Sequence, residues 1–261
     1  MSLTVPEVRA RLQAADRNEF AALERSLAAD TRKGVRAAVE TARRRLQAEK
    51  AEEERLESLY MFERGLLPEG RGIVVGLDEV GRGAVAGPLA VGAVVLPERP
   101  LIAGLNDSKQ IKPERRSEIA AQIEQTALAW AVHYVSPSDI DRYGMTASLR
   151  RAFVGALAQV EEAGITPDIV LVDGNPLRID EREVNVVKGD AQCASIAAAS
   201  IIAKVHRDAL MVELSDRYQP YEFAVNKGYA SPQHIEAIKT QGLSDVHRAS
   251  FCKSFMQESL F

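Results

Sequence analysis

The chain has 261 residues, of which 46% are hydrophobic and 27% are charged, so it is long enough for one large core and a smaller appendage. Its net charge of −4 does not indicate a general polyanion binder, and its two cysteines, Cys193 and Cys252, exclude a disulfide framework and a cysteine-based zinc site. No segment has the roughly 20 apolar residues of a membrane-spanning helix and no secretory signal is evident, so we expect a cytoplasmic protein that does not enter a membrane.

Residues 1–70 have the composition of an all-helical extension. They are rich in Ala, Leu, Glu and Arg, which favour helices, and Thr4 to Glu7 has the form of a capping box. One long helix is predicted from Thr31 to about Phe62, with a basic first half and an acidic run after it. Two interpretations stay open. The extension is either a solvated helical appendage or an arm whose basic half contacts nucleic-acid phosphates.

Strand-like and helix-like segments alternate from Gly72 onward. Their Val, Ile and Leu content predicts strands at 72–78, 88–96, 128–135, 168–173 and 183–188. Apolar periodicity and stop signals predict helices at 113–127, 145–163, 191–216 and 231–241. Gly87-Pro88 indicates a hairpin or bulge between the first two strands, and the small residues that begin the helix at 191–216 predict close packing on the sheet. The pattern predicts an α/β layer fold with a mixed sheet.

Acidic residues stand at the ends of three predicted strands: Asp78 with Glu79, Asp173, and Asp190. Neighbouring strands lie about 5 Å apart, and open α/β sheets bind ligands at the carboxyl ends of their strands. Four carboxylates in one place would not all ionise without cations between them. Hard divalent ions such as Mg²⁺ or Mn²⁺ take oxygen ligands. The pattern therefore favours a metal site at this edge of the sheet.

Two of these acids also have purely structural interpretations. Asp173 begins an Asp-Gly-Asn-Pro sequence that is typical of a turn, and Asp190 stands where a helix N-cap is expected. Neither a turn nor a cap accounts for the adjacent acids Asp78 and Glu79. The occurrence of acids at three strand ends is what favours the metal site over the structural interpretations.

The glycine motif after the first strand suggests a different function at first sight. The run from Gly81 to Ala86 matches the dinucleotide-binding pattern G-x-G-x-x-A, but that pattern opens a helix, and Gly87 and Pro88 would interrupt its first turns. No G-x-S-x-G motif of a serine hydrolase is present, and the two carboxylates of a glycosidase would not explain four acids. What remains is a backbone that a ligand can approach closely, with Arg82 beside it.

Five segments together resemble ribonuclease HII: LDEVGRGAVAGPL, NDSK at 106–109, LVDG at 171–174, VVKGDAQCASIAAASIIAKVHRD at 186–208 and NKGYASPQH at 226–234. They occur in order across residues 72 to about 251, and the helical extension suggests a bacterial member. The resemblance implies a ribonuclease H-like fold, with a five-stranded mixed sheet flanked by helices. It places the catalytic domain at 71–255, between the extension and a tail at 256–261.

The resemblance also implies a metal-dependent endonuclease. Asp78, Glu79, Asp173 and Asp190 would be catalytic and would hold two Mg²⁺ or Mn²⁺ ions that activate a water and stabilise the leaving 3′ oxygen. The implied partners are RNA/DNA hybrids and duplex DNA that contains a single ribonucleotide. Hydrolysis on the 5′ side of the ribonucleotide would leave a 3′-hydroxyl and a 5′-phosphate.

Substrate contacts follow from the same resemblance. The backbone of Gly81, Arg82 and Gly83 would distinguish the ribose 2′-hydroxyl, and Tyr229 would stack on the neighbouring deoxyribose unless it is an ordinary loop tyrosine. Candidate phosphate contacts are Ser108, Lys109, Lys188, Lys204 and Arg207. An ion pair with Asp208, four residues along a helix, is the alternative role for Lys204. Two departures from the family pattern are Gln110, where a second lysine is common, and Ser231, where threonine is common.

Two alternatives to this function are a ribonuclease HIII-like hybrid nuclease and a non-catalytic nucleic-acid-binding module on the same fold. The C-terminal sequence MQESLF, with Gln257, Leu260 and Phe261, resembles the Q-x-x-L-F peptide through which bacterial replication and repair proteins bind the sliding clamp. A tail that packs Phe255 and Phe261 onto the core is the structural alternative. We expect a monomer with the clamp as a candidate partner.

Overall fold

The computed structural model describes residues 3–256 of the chain. The chain forms two compact units, one up to Glu57 and one from Ser58 onward. None of the helices in the described range is long and apolar enough to cross a membrane. The tail residues Gln257, Leu260 and Phe261 lie outside that range, so the clamp-peptide interpretation stays a prediction.

The first unit is helical and has a core of its own. It contains α1 (Val5–Ala14), α2 (Arg17–Leu27) and the first part of α3 (Lys33–Leu66), which is the long helix that the sequence predicted. A capping residue precedes each of the first two helices, Thr4 before α1 and Asp16 before α2. The Asp16 carboxylate accepts hydrogen bonds of 2.8 Å from two backbone N–H groups of α2. Apolar side chains at helical spacing close the core, among them Val8, Leu12, Phe20, Val35 and Leu46.

The second unit is built on a five-stranded mixed sheet. Its strands are β1 (Val74–Val80), β2 (Leu89–Val95), β3 (Ala129–Val135), β4 (Ile169–Asp173) and β5 (Glu183–Val186). They lie in the order β3-β2-β1-β4-β5, with β1–β4 and β4–β5 parallel and β1–β2 and β2–β3 antiparallel. The predicted mixed sheet and its five strand positions are confirmed.

The helices of the second unit after the sheet begins are α4 (Pro113–Thr126), α5 (Pro137–Tyr143), α6 (Met145–Glu162), α7 (Ala194–Arg217), α8 (Phe223–Asn226), α9 (Pro232–Gln241) and α10 (Ala249–Met256). The four predicted helices correspond to α4, α6, α7 and α9. The short helices α5, α8 and α10 were not predicted from the sequence, because segments of four to eight residues carry little periodicity.

Two helices pack on opposite faces of the sheet. Apolar side chains of α6 form one core with alternate residues of β1 and β2, such as Val75 and Leu77. On the other face α7 approaches so closely that a Cβ added to Gly76 would lie 2.2 Å from the backbone of Ser195. The small residues at the start of α7 allow this approach, which confirms the predicted close packing. Asp78 is two residues beyond Gly76, so its side chain lies on the α7 face of the sheet.

Candidate active site

The sheet places Asp78 and Asp173 next to each other at one edge of two adjacent strands. The parallel register pairs Leu77 with Val172, and each acid is the next residue along its strand. The two strands are therefore parallel neighbours, which is the arrangement that brings their acids together. One detail differs, because β1 continues through Asp78 and Glu79 to Val80, where β2 still pairs with it.

The residue before the third acidic position, Gly189, is hydrogen-bonded to the second, Asp173. Asp190 lies in a short 3₁₀ turn, Gly189–Ala191, directly before α7. The backbone N–H of Gly189 donates to Oδ1 of Asp173 at 2.6 Å. This bond holds the segment before α7 against the end of β4, so the three acidic positions of the sequence pattern converge.

The acidic side chains repel one another at this edge. Partial burial is the largest cause that raises the pKa of Asp78 well above its usual value, and the charges of Glu79, Asp173 and Asp190 raise it further. The pKa of Glu79 is also raised by burial, against the lowering effect of Arg82. Burial raises the pKa of Asp190 as well, with contributions from Asp107 and Asp173. The site therefore carries more negative charge than its protein surroundings compensate.

Hard divalent cations suit these residues by the chemistry of their donors, since all are carboxylate oxygens with surplus charge. Within residues 3–256, however, no group of three or more His, Cys, Asp or Glu side chains is already arranged as a metal-binding cluster. Local hydrogen bonds hold the carboxylates instead: Asp78 accepts from the N–H of Glu79 at 2.8 Å, and Arg82 pairs with Glu79 at 3.4 Å. Their role as metal ligands stays a prediction.

Asp107 is a site residue that the sequence reasoning missed. After burial, the charge of Asp107 is the next cause that raises the pKa of Asp190, and the nearby Lys109 lowers that pKa. The Oδ1 of Asp107 accepts from the backbone N–H of Lys109 at 2.9 Å. Asp107 follows no strand, so the strand-end pattern did not find it. The available signal was its place beside Ser108 in the NDSK segment.

The glycine motif lies on a loop between two strands. Gly81 has a left-handed backbone with φ of 84°, and the chain continues through Pro88 into β2 rather than into a helix. The exclusion of a dinucleotide-binding loop is therefore confirmed. Arg82 and Gly83 are exposed on this loop, and Tyr229 is 38% exposed.

Arg207 lies in a different position from the one expected for a phosphate contact. Its exposed fraction is 0%, and its guanidinium donates to backbone carbonyl oxygens inside the protein. A side chain in this position has no surface to offer a phosphate, so the predicted contact is corrected to a role in supporting the loop. Lys204 forms the ion pair with Asp208 that was its alternative role, at 2.9 Å.

The remaining phosphate candidates are distributed around the acids. Lys188 is exposed, with a left-handed backbone directly before the Gly189 turn, and Lys109 is exposed beside Asp107. Ser108 is only 7% exposed, and its carbonyl accepts a hydrogen bond of 2.8 Å from Arg116. Lys188 and Lys109 are therefore better placed than Ser108 to contact a phosphate with their side chains.

The architecture is shared with solved ribonuclease H structures. Ribonuclease H2 from Pyrococcus horikoshii OT3 matches with a TM-score of 0.59 and 29% identity, over 71% of this chain and 100% of that chain. A chain of the PCNA:RNase HII complex from Archaeoglobus fulgidus gives 0.60 and 27%, over 72% and 98%. Bst-RNase HIII in complex with Mn²⁺ gives 0.57 and 24%, over 68% and 66%, a likeness of fold alone. The fold is ribonuclease H-like.

Sequence comparison narrows this class to one family. The family model of ribonuclease HII matches residues 75–254, and that of the ribonuclease HII N-terminal domain matches residues 4–67. Ribonuclease HII of Moorella thermoacetica is 45% identical over 207 residues, 79% of this chain and 99% of its own length. That of Ruminiclostridium cellulolyticum is 42% identical over 207 residues, 79% and 80% of the two chains. The chain belongs to the ribonuclease HII family.

Proposed function

We propose that this protein is a metal-dependent endoribonuclease. It hydrolyses the phosphodiester on the 5′ side of a ribonucleotide, in an RNA/DNA hybrid or singly embedded in duplex DNA, and leaves a 3′-hydroxyl and a 5′-phosphate. The observation that carries the proposal is the convergence of Asp78, Glu79, Asp173 and Asp190 at one edge of the sheet, where burial and then neighbouring acidic charges raise the pKa of Asp78, Glu79 and Asp190. Membership of the ribonuclease HII family supports the same function.

The four acids would hold two Mg²⁺ or Mn²⁺ ions. When bound, these ions would supply an activated water and stabilise the leaving 3′ oxygen. The protein's own contribution is to keep the carboxylates together against their repulsion, which the strand register and the Asp173–Gly189 hydrogen bond support.

Substrate recognition would take place beside the acids. The exposed backbone of Arg82 and Gly83, with Gly81, would contact the ribose 2′-hydroxyl, a group that DNA lacks. Tyr229 would stack on the neighbouring deoxyribose. Lys109 and Lys188 would contact phosphates, and Lys204 would do so only if its ion pair with Asp208 opened.

Cleavage of defined duplexes tests the proposed function. The substrates are a DNA duplex with one embedded ribonucleotide, the same duplex without it, and an RNA/DNA hybrid, each with Mg²⁺, Mn²⁺ or EDTA. We expect cutting of the first and third substrates with a divalent cation and none in EDTA. Binding of the duplexes without any metal-dependent cut would instead support the non-catalytic alternative.

The C-terminal tail supports a separate proposal about a partner. The sequence QESLF resembles a clamp-binding peptide, and the similar Archaeoglobus fulgidus protein was solved in a complex with PCNA. We therefore propose that Gln257, Leu260 and Phe261 bind the bacterial sliding clamp. Pull-down by the clamp should retain the wild type and lose the double variant Leu260→Ala/Phe261→Ala, and equal retention would contradict this proposal.

A further inference from the structure

Two completely buried arginines lie beneath the glycine loop, residues 81–88, which connects β1 to β2 and is proposed to contact the substrate. Arg207 on α7 and Arg248 directly before α10 are each 0% exposed. Their hydrogen bonds in the described structure all go to backbone carbonyl oxygens and none goes to a carboxylate. Burial, and next the charge of Arg207, lower the pKa of Arg248 to about 9. Burying two like charges together costs stability, so their contacts call for an explanation beyond packing.

Arg207 joins two separate parts of the chain. Its Nε and one terminal nitrogen donate to the carbonyl oxygens of Pro88 and Ala86, at 2.9 and 3.2 Å, at the end of the glycine loop. Its other terminal nitrogen donates to the carbonyl oxygen of Lys227 at 2.9 Å. One rigid, planar guanidinium therefore connects the glycine loop to the segment that carries Tyr229.

Arg248 holds the same loop from a second side. Its Nε and one terminal nitrogen donate to the carbonyl oxygen of Gly87 at 3.0 and 2.9 Å, and its other terminal nitrogen donates to that of Arg82 at 3.1 Å. Its backbone N–H donates to the carbonyl oxygen of Val85 at 2.8 Å. The carbonyl of Arg82 belongs to the backbone that is proposed to contact the ribose.

The glycine loop and the Tyr229 segment also meet directly. The carbonyl of Gly228 accepts from the N–H groups of Val85 and Ala86 at 2.9 and 3.1 Å. Arg207 lies close to both Gly81 of the glycine loop and the ring of Tyr229. A Cβ on Gly81 would lie 2.2 Å from its Nε, and its guanidinium carbon lies 5.7 Å from the centre of the Tyr229 ring. The two proposed sugar contacts therefore share a single support.

We propose that Arg207 and Arg248 are positioning residues that fix the distance between the Gly81–Gly83 backbone and the Tyr229 ring. This fixed spacing matches a ribose on one side and the adjacent deoxyribose on the other, and so sets a preference for a ribonucleotide at an RNA–DNA junction. The inference rests on the proposed function and adds a specificity determinant to it. Within a continuous RNA strand the second sugar is another ribose, so that substrate depends less on the spacing.

The test compares kcat/KM on a duplex with one ribonucleotide and on a hybrid with a continuous RNA strand. Arg207→Lys keeps the charge but cannot reach three carbonyls from one nitrogen. We expect the ratio of the two kcat/KM values, single ribonucleotide over hybrid, to fall about tenfold or more, since displacements of about 1 Å can cost a hundredfold. Arg217→Lys, a change at an exposed arginine of the same helix, is the control and should keep the wild-type ratio.

A double-mutant cycle separates positioning from general damage. If Arg207 acts through the ring, Tyr229→Ala alone should lower the ratio, and adding Arg207→Lys should lower it by less than threefold more. If Arg207→Lys does not fold, the same ratio is measured on Arg248→Gln, which removes one of the two like charges. The ratio should fall in this variant too. Folded variants with the wild-type ratio, or effects that multiply independently, would overturn the inference. Failure of the wild type to cut either substrate would instead reject the proposed function.

Discussion

The carboxylate of Glu63 accepts hydrogen bonds from both the backbone N–H and the hydroxyl of Ser195, each 2.6 Å long. Ser195 is in the first turn of α7, and the N-cap residue Cys193 provides no side-chain hydrogen bond there. Glu63 lies in the part of α3 that belongs to the same unit as the sheet. It therefore caps a helix from 132 positions away in sequence, and that helix follows the turn of Asp190.

Removing this cap should destabilise the fold. Glu63→Ala leaves two buried donors of Ser195 without an acceptor, so we expect the free energy of unfolding to fall by about 1–3 kcal/mol. Glu63→Gln keeps an acceptor oxygen and should cost less than half as much. Urea denaturation of both variants measures the difference. Equal losses would mean that packing, rather than the hydrogen bonds, accounts for the contribution of Glu63.

Asp78→Asn should abolish cleavage while it leaves the fold intact. Because burial and neighbouring charges raise the pKa of Asp78, removing its charge should keep or raise the Tm without divalent cations. Mn²⁺ that binds the native state should stabilise the wild-type protein and raise its Tm by about 2–4 °C for each kcal/mol of added stability. The Tm of the variant should rise by less. Thermal denaturation with and without Mn²⁺ measures both effects. Exposed Asp216→Asn is the control, and a wild-type gain in Asp78→Asn would remove Asp78 from the site.

Substitution by alanine should have different effects at two glycines of the glycine loop. At Gly81, φ is 84° and a Cβ would lie 2.2 Å from Arg207, so Gly81→Ala should cost about 1–3 kcal/mol of stability. At Gly83 no atom lies within 4 Å of an added Cβ, so stability should change by less than about 0.5 kcal/mol. Gly83→Ala should instead raise KM for the single-ribonucleotide duplex. Denaturation and kinetics give the two readouts, and equal stability losses or an unchanged KM would count against the proposed loop geometry.

A pair of buried histidines should make stability depend on pH. The Nδ1 of His247 accepts from the N–H of Ser244 at 3.0 Å, so its Nε2 carries the proton and donates to Nε2 of His234 at 3.0 Å. His234 in turn donates from Nδ1 to the carbonyl oxygen of Tyr229 at 2.8 Å. Both rings must be neutral for this chain of hydrogen bonds. Burial, and next the neighbouring His234, lower the pKa of His247 to about 4.

The sign of the pH effect follows from that lowered pKa. Between about pH 6.5 and pH 4 the unfolded chain binds a proton at His247 that the folded protein excludes, so stability falls as the pH falls through this window. The loss is at most about 3 kcal/mol. The measurement is the difference in the free energy of unfolding between wild type and His247→Gln across this pH range. Burial raises the pKa of Glu63 to about 7, which has the opposite effect on stability. Because both proteins contain Glu63, the difference cancels that effect. A difference that does not change with pH would contradict the neutral pair.

Much of the fold and part of the site could be predicted from local patterns. Short runs of Val, Ile and Leu located the strands, and the ends of two of these runs located Asp78 and Asp173. Asp107 approaches Asp190 from a loop, and only tertiary packing brings the two together. Arg207 could be selected as a candidate from its place in the 186–208 segment. The sequence did not show that its side chain is buried, because burial also depends on tertiary packing.

The most direct test of the central claim is the position and chemistry of the cut in a duplex with one ribonucleotide. With Mg²⁺ or Mn²⁺ we predict one cut on the 5′ side of the ribonucleotide, with a 3′-hydroxyl on one product and a 5′-phosphate on the other. A 2′-O-methyl ribonucleotide at the same position should prevent the cut, because it blocks the proposed contact with the glycine loop. A cut on the 3′ side, a cyclic phosphate product, or cutting that persists in EDTA would contradict the account.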